Sequence, residues 1–170
     1  KILDQLLEAV TRFVSKELIP NEAQVAEQND IPTELVEKMA GLGLFGLSIP
    51  TPYGGLGLTM EEECLVALEL GRASPAFRTV VGTNIGIGGQ GLLMDGRPDQ
   101  KHYWLPRLAS GEIISSFPLT EPEAGSDAGS IRTTAVLDRD CYRLNGTKRF
   151  ITNADKAGLF TVMARTDPDT

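Results

Sequence analysis

Apolar side chains in the first part of the chain return every three or four positions, which is the period of an amphipathic α-helix. The first run predicts a helix over residues 2–18, and its apolar stripe consists of Ile2, Leu6, Val10, Phe13 and Val14. Pro20 is expected to interrupt or kink this helix, because proline lacks a backbone donor. A second helix is expected to begin at Pro32 and to end at Gly41 and Gly43.

Further helices are predicted from their start signals. Thr59 followed by Glu62 is a capping-box pattern, which opens a helix that runs to about residue 72. Ser74-Pro75 reads as a cap and first turn of the next helix, and residues 98–108 form a shorter one.

The pattern changes at residue 112, where short β-branched or aromatic runs are separated by turn residues and predict strands. These runs are "IISSFPLT", "SIRTTAVL", "CYRLNG", "KRFITN" and "GLFTVMART". The expected fold class is therefore α+β, with an all-α domain at residues 1–111 and a β domain at residues 112–170. The β domain is expected to be incomplete, because these strands are too few to close a sheet.

The segment "GIGGQG" places Gly86, Gly88 and Gly91 at the G-x-G-x-x-G spacing of many dinucleotide-binding loops. That fingerprint needs a strand before it, a helix after it and an acid about 20 residues further on. Here helices flank the glycines, and the acid at that distance, Glu112, stands at the start of a strand. We therefore interpret residues 86–91 as a glycine-rich helix whose glycines permit close approach of neighbouring helices.

Composition and charge exclude some partners. The 170 residues are 41% hydrophobic and 23% charged, and 16 Lys and Arg against 23 Asp and Glu give a net charge of −7. No basic cluster is visible, which argues against nucleic acid. No apolar run approaches the roughly 20 residues of a membrane-spanning helix.

Candidate metal ligands and nucleophiles are few. His102 is the only histidine and lies in a charged helix, so it is expected to face water and no triad, zinc site or other metal is predicted. Cys64 and Cys141 lack metal-ligand spacing and are expected to be reduced and buried or half-buried. They indicate a bacterial cytoplasm or a mitochondrial matrix.

The stretch "FPLTEPEAGSD", residues 117–127, leaves a predicted strand and enters a loop. Pro122 fixes the backbone there, and Gly125 permits close approach of another group. The hydroxyls of Thr120 and Ser126 stand beside free backbone N–H groups, which are donors that bind a phosphate or the edge of a heterocycle.

Charged side chains accompany this loop. Three acids resemble an acid–base pair, although solvation of the loop, or local capping by the last of them, is the favoured interpretation: Glu121, Glu123 and Asp127. Three basic side chains either contact phosphates or face water, with equal support for both: Arg132, Lys148 and Arg149.

A second stretch, "NGTKRFITNA" at residues 145–154, predicts a tight turn and then a strand ending in Phe150, Ile151 and Thr152. A flat ring with polar edges could pack on this strand, with the Thr152 hydroxyl donating to a ring nitrogen.

These two stretches resemble the T-E-P-x-A-G-S-D and G-x-K-x-[WF]-I-T-N signatures of the acyl-CoA dehydrogenase family. The segments "DQKHYWLPRLASGE" and "IPTPYGGLGL" are also similar to that family, so the resemblance covers essentially the whole chain in the right order. It implies an N-terminal helical domain, a middle antiparallel β-barrel and a C-terminal four-helix domain. This chain would supply the first and about half of the second.

The resemblance implies FAD as the cofactor. The residues expected against it are Phe117, Leu119, Thr120, Gly125, Ser126, Phe150, Ile151 and Thr152. Thr120 and Thr152 match residues that hydrogen-bond the flavin ring. Ser126 matches one near the FAD pyrophosphate and the pantetheine of the acyl-CoA substrate. Phe150 stands where many members have tryptophan.

The implied reaction is α,β-dehydrogenation of an acyl-CoA to the 2-enoyl-CoA: a carboxylate base removes an α-proton, and the β-hydride passes to the flavin. Electrons then leave to an electron-transfer flavoprotein, and the expected enzyme is a homotetramer or homodimer.

The family's base is a glutamate expected beyond residue 170, so no catalytic residue is assigned here and the isolated chain is expected to be inactive. The alternatives are an acyl-CoA oxidase, a flavin monooxygenase, or a non-catalytic flavoprotein or assembly factor that lost the base.

Overall fold

The computed structural model describes residues 2–167 and divides into a helical part and a β part. The helices are α1 (Ile2–Phe13), α2 (Ile19–Gln28), α3 (Thr33–Gly41), α4 (Met60–Leu70), α5 (Pro75–Ile85), α6 (Ile87–Asp95) and α7 (Pro98–Ala109). The strands are β1 (Ser115–Ser116), β2 (Thr134–Asp138), β3 (Cys141–Asn145) and β4 (Leu159–Phe160). Lys1, the first residue of the predicted helical domain, and residues 168–170, the last of the predicted β domain, lie outside the described residues. The predicted boundary at residues 111 and 112 falls between α7 and β1.

The N-terminal helix continues past Pro20. A π-helical turn, Val14–Leu18, joins α1 to α2, and the N–H of Ile19 bonds to the carbonyl five residues back. Proline has no N–H, so one helical hydrogen bond is missing at Pro20, and the wider turn accommodates its absence. The helical path therefore ends only at Asn29, where φ is 51°. The prediction of a helix over residues 2–18 is therefore correct in place but ends it too early.

Two predicted helix starts are confirmed by side-chain caps. Thr59 accepts a hydrogen bond from the N–H of Glu62 at 3.3 Å, and the Glu62 carboxylate accepts one from the N–H of Thr59 at 2.8 Å. The Ser74 hydroxyl caps α5 by accepting from the N–H of Ala76 at 3.4 Å. Glu22 of α2 accepts the N–H of Ser74 at 2.5 Å, so this cap also joins two helices.

Apolar side chains of α1, the π-turn, α3, α4 and α5 meet in one core. Its bulkiest fully buried members are Leu18, Met39, Leu44, Phe45, Leu47, Leu70 and Phe77. Val10 and Phe13, from the predicted apolar stripe of the first helix, are buried in the same core. Burial of each such side chain contributes about 1.5–3 kcal/mol to the stability of the fold. Because the apolar stripes of the helices form this core, the helical period in the sequence predicts this half of the structure.

The glycine-rich segment is helical, as predicted, with Gly86 separating α5 from α6. A Cβ at Gly88 would lie 2.4 Å from the hydroxyl oxygen of Ser115, and a Cβ at Gly91 would lie 3.2 Å from the methyl of Thr161. The Thr161 hydroxyl donates to the Gly88 carbonyl at 2.7 Å. These glycines thus let the β part approach α6, whereas the sequence predicted approach by other helices.

The β part contains two strand pairs. β2 and β3 are antiparallel, with Thr134 opposite Asn145, and Arg139 turns between them with φ of 61°. β1 and β4 are parallel, which differs from the expected antiparallel pairing, because residues 117–158 form a crossover long enough to bring the chain back in the same direction. A bridge joins Thr134 of β2 to Arg165, which lies in the segment after β4.

No strand forms over residues 148–152, contrary to the prediction. Phe150 has φ of 56° and Asn153 has φ of 60°, and both values lie in the left-handed region rather than the extended one. The segment is a turn held by contacts with distant residues, which the local sequence pattern does not contain.

Reactive side chains lie at the surface. Cys64 and Cys141 are both exposed, so the expectation that they are buried or half-buried is wrong. His102 is exposed as predicted, and its Nδ1 lies 2.7 Å from the carbonyl oxygen of Pro98. Within residues 2–167, no helix is long and apolar enough to cross a membrane, and no cluster of three or more His, Cys, Asp or Glu could hold a metal.

Candidate functional site

The two stretches singled out in the sequence lie side by side. The N–H of Arg149 donates to the carbonyl of Thr120 at 2.9 Å. The Ser116 hydroxyl donates to the carbonyl of Thr152 at 2.6 Å, and the Lys148 ammonium donates to the carbonyl of Leu119 at 2.9 Å. Residues 116–121 and 148–152 are therefore fixed against each other along their length.

Glu121 is buried at the centre of this contact, although the sequence favoured solvation. Its carboxylate accepts hydrogen bonds from the N–H of Arg132 at 2.6 Å, from the N–H and hydroxyl of Thr133 at 2.9 and 2.5 Å, and from Lys148 at 2.8 Å. The Lys148 ammonium, the Thr133 hydroxyl and the Arg132 N–H lower the pKa of Glu121 to about 2. A carboxylate held in this way is a structural anion and not a proton acceptor near neutral pH.

Gly146 belongs to the same cluster. A Cβ at this position would lie 2.3 Å from the Thr133 hydroxyl oxygen, which donates to Glu121. The glycine of the "NGTK" turn therefore leaves room for the donors around the buried carboxylate.

The remaining charged residues near the loop have local roles. Asp127 is exposed and accepts a hydrogen bond from the Ser130 hydroxyl at 2.5 Å, but its side chain does not cap the helical turn at Ala128–Ser130, so of the two predicted roles only solvation is met. Glu123 pairs with Arg132 at 2.6 Å, and both side chains are exposed. Lys148 neither faces water nor extends toward a ligand, because its ammonium is engaged by Leu119 and Glu121.

Three hydroxyls predicted to bind the cofactor are unengaged. Thr120, Ser126 and Thr152 make no side-chain hydrogen bond within the described part of the chain, and the N–H groups of Gly125 and Ser126 have no acceptor there either. The buried hydroxyls of Ser116 and Thr133 are bonded within the chain, whereas these three half-buried or exposed donors are free and suit a polar ring edge and an anion.

The apolar members of the predicted site differ in exposure. Phe150 is 81% exposed, with the Arg149 guanidinium carbon 4.1 Å from its ring centroid. Phe117, Leu119 and Ile151 are half-buried. Ile151 lines an open cavity of about 340 Å³, whose wall also includes Pro118, Leu144, Phe160 and Val162. An exposed aromatic ring beside free donors fits a planar heterocycle.

Gly125 and Ser126 are less closely tied to the other predicted residues. A Cβ at Gly125 would meet only the Thr120 methyl, at 3.8 Å. Ser126 is exposed, and no hydrogen bond in residues 2–167 joins it to the other site residues. The structure therefore brings together residues 117–120 with 150–152 and places Ser126 at the edge of the group.

The turn at residues 150–153 is strained. Left-handed backbone at Phe150 and Asn153 costs about 1–3 kcal/mol for each residue. The Asn153 amide donates to the Thr83 hydroxyl of α5 at 2.9 Å, and Lys156 pairs with Asp30 of the loop after α2. These two bonds to the helical part, with that from Ser116 in the β part, hold a conformation that presents Phe150 and Thr152 at the surface.

FAD fits this arrangement of residues. Its ring has polar edges and flat apolar faces, and its pyrophosphate is an anion, which match the free hydroxyls, the exposed aromatic and the open N–H groups described above. No side chain in the group is poised as a base, since Glu121 is fully occupied.

Comparison with protein families agrees with this geometry. The family model for the acyl-CoA dehydrogenase N-terminal domain matches residues 3–112, and that for the middle domain matches residues 116–170. The chain belongs to the acyl-CoA dehydrogenase family. Its helical part followed by a partial middle β domain is the order of domains in that family.

Individual family members support the assignment. An acyl-CoA dehydrogenase of Bacillus subtilis is 38% identical over 160 residues, which are 94% of this chain and 42% of the relative. The crystal structure of acyl-CoA dehydrogenase complexed with FAD from Bacillus anthracis has a TM-score of 0.87 and 35% identity, covering 95% of this chain and 29% of that one.

A third match is a structure described as the electron transferring flavoprotein of Acidaminococcus fermentans. Its TM-score is 0.92 and its identity 32%, over 99% of this chain and 44% of that one. The present chain thus spans less than half the length of each of these three proteins.

Proposed function

We propose that this chain is the N-terminal part of an FAD-dependent acyl-CoA dehydrogenase. The observation that carries the proposal is the contact between residues 116–121 and 148–152, two stretches that contain unengaged hydroxyls and an exposed aromatic ring. The FAD complex of the Bacillus anthracis relative supports the choice of cofactor.

Each residue has a role in the proposed site. The hydroxyls of Thr120 and Thr152 hydrogen-bond the edge of the flavin ring, and the Phe150 ring packs on its face. Ser126, with the N–H groups at Gly125 and Ser126, binds near the pyrophosphate and the pantetheine of the substrate. The remaining residues, Phe117, Leu119 and Ile151, form the apolar bed beneath these groups.

The proposed reaction is α,β-dehydrogenation of an acyl-CoA thioester to the 2-enoyl-CoA. The chemistry that FAD supplies when bound is the uptake of two electrons from the substrate. The residues described here would bind and orient FAD and exclude water from its ring. The proposed base is a glutamate beyond residue 170, as the family resemblance implies, so this chain alone should turn over no acyl-CoA.

The acceptor and setting are part of the same proposal. Electrons pass to an electron-transfer flavoprotein, which the family resemblance implies and the Acidaminococcus fermentans structure supports. The complete enzyme is a homotetramer or homodimer in the bacterial cytoplasm or the mitochondrial matrix. The Bacillus subtilis relative supports a bacterial setting.

Anaerobic mixing of the FAD-loaded complete protein with short-, medium- and long-chain acyl-CoA tests this proposal. We expect at least one thioester to bleach the oxidised flavin absorbance and to yield its 2-enoyl-CoA. An FAD-loaded protein that no acyl-CoA reduces would contradict it. Reoxidation faster by electron-transfer flavoprotein than by oxygen separates a dehydrogenase from an oxidase.

A further inference from the structure

We infer that Glu121 and Lys148 are positioning residues for the flavin site, because their buried ion pair sets residues 117–120 in register with residues 148–152. The inference rests on the proposed function, since it gives the pair a role in the FAD site. Neither residue is among those expected to contact the cofactor.

The pair is enclosed and saturated with partners. The Lys148 side chain is 12% exposed and that of Glu121 is 5% exposed, whereas both side chains of the Glu123–Arg132 pair nearby are more than half exposed. Lys148 donates to Glu121 and to the carbonyl of Leu119, at 2.8 and 2.9 Å. Three separate segments therefore meet at one carboxylate: the loop at residue 121, residues 132 and 133 just before β2, and the turn before Phe150.

The pair stands next to the groups proposed to bind the flavin. Thr120 immediately precedes Glu121, and its carbonyl accepts from the N–H of Arg149 at 2.9 Å. Phe150 follows two residues after Lys148. The ion pair, together with this backbone bond, thus links the segments that carry the Thr120 hydroxyl and the Phe150 ring, and displacement of a positioned group by about 1 Å can cost roughly a hundredfold in rate.

A single substitution that removes the charge of Glu121 or of Lys148 has two effects at once. It frees the two segments, and it also leaves the partner charge buried without compensation, which destabilises any fold. Replacing both charged groups by neutral side chains of similar shape removes the second effect and keeps the first. The double variant Glu121→Gln with Lys148→Met therefore separates positioning from stability.

The test uses the complete protein with FAD, as wild type, both single variants, the double variant and a control. The control, Asp138→Asn with Arg143→Met, removes an exposed ion pair in the β2–β3 hairpin. For each protein the FAD dissociation constant, the flavin absorption spectrum and the rate of flavin reduction at FAD saturation are measured, with thermal unfolding recorded alongside.

We expect the double variant to unfold at a higher temperature than either single variant, yet to bind FAD about tenfold more weakly, which corresponds to about 1.4 kcal/mol. Its saturated flavin should show a shifted spectrum and slower reduction, while the control matches wild type. Thr133→Val removes one donor to Glu121 without changing charge, and it should show the same changes to a smaller degree, even if the charge variants fail to fold.

A double variant or Thr133→Val variant whose saturated flavin matches wild type in affinity, spectrum and reduction rate overturns the inference. If the double variant does not fold, Thr133→Val alone decides. A wild-type protein that binds no FAD instead overturns the proposed function, and this inference with it.

Discussion

Asn84 in α5 accepts two hydrogen bonds from Ser115 in β1, one from its backbone N–H at 2.7 Å and one from its hydroxyl at 3.1 Å. The same carboxamide donates to the carbonyls of Leu108 at 3.0 Å and Ile113 at 2.8 Å. One side chain therefore satisfies polar groups from the end of α7, the following loop and the first strand. Asn84 is thus one of the side chains by which the helical part holds the β part in place, along with the Thr161–Gly88 and Asn153–Thr83 contacts.

Asn84→Ala should lower the free energy of unfolding of the complete protein by roughly 2–4 kcal/mol, because buried donors and acceptors lose their partners. Chemical denaturation measures this change. Asn21→Ala, which removes a single bond to the carbonyl of Glu17 on an N-terminal helix, should cost less than about 1 kcal/mol. Equal losses in the two variants would refute the role given to Asn84.

Gly88→Ala should destabilise the protein by about 1–3 kcal/mol, because its methyl would overlap the Ser115 hydroxyl of β1. Gly41→Ala is the matched control, since no atom lies within 4 Å of the added Cβ at the end of α3. It should be neutral or stabilising by up to about 1 kcal/mol. Thermal unfolding compares the two, and a stabilised Gly88→Ala variant would show that the space is not filled.

The lowered pKa of Glu121 predicts a pH dependence of stability. A carboxylate whose pKa falls from 4.5 to about 2 on folding stabilises the protein fully above the unfolded pKa, and this contribution is lost as the pH falls from about 4.5 toward 2. The unfolding free energy of wild type should therefore decline more steeply over that range than that of Glu121→Gln. Chemical denaturation of both proteins across this range measures the two slopes, and equal slopes would contradict the role given to Glu121.

The helices could be predicted from the sequence because their causes are local. The cap formed by Thr59 and Glu62 and the apolar stripe through Val10 lie within one or two turns of the chain. Phe150 illustrates the opposite case. The aromatic and β-branched residues of "KRFITN" favour a strand, but bonds to Ser116 and Thr120 hold a left-handed turn there.

The candidate site could be predicted only in part. The two signature stretches lie side by side in the structure, whereas the roles of Thr120 and Thr152 toward the flavin stay predictions. The burial of Glu121 could not be predicted, because its partner Lys148 comes from a distant part of the chain and complementary charges do not reveal which of them meet. The only signal in the sequence for this ion pair was an acid before a proline, Glu121, in the first stretch and a lysine, Lys148, in the second.

Thr152→Val tests the expected contact with the flavin ring. The change keeps the β-branched shape and deletes the donor, so folding should survive while one hydrogen bond worth roughly 0.5–1.5 kcal/mol is lost. Flavin reduction should be slower and FAD retention weaker. Thr166→Val, outside the site, controls for general loss of a hydroxyl. If stopped-flow reduction and FAD affinity match wild type, the role given to Thr152 is wrong.

The absorbance spectrum of the purified complete protein tests the central claim most directly, because every role assigned to the two signature stretches depends on FAD. We expect oxidised flavin bands with stoichiometric FAD, and no nicotinamide dinucleotide at residues 86–91. A spectrum without flavin bands, even after incubation with added FAD, would contradict the account.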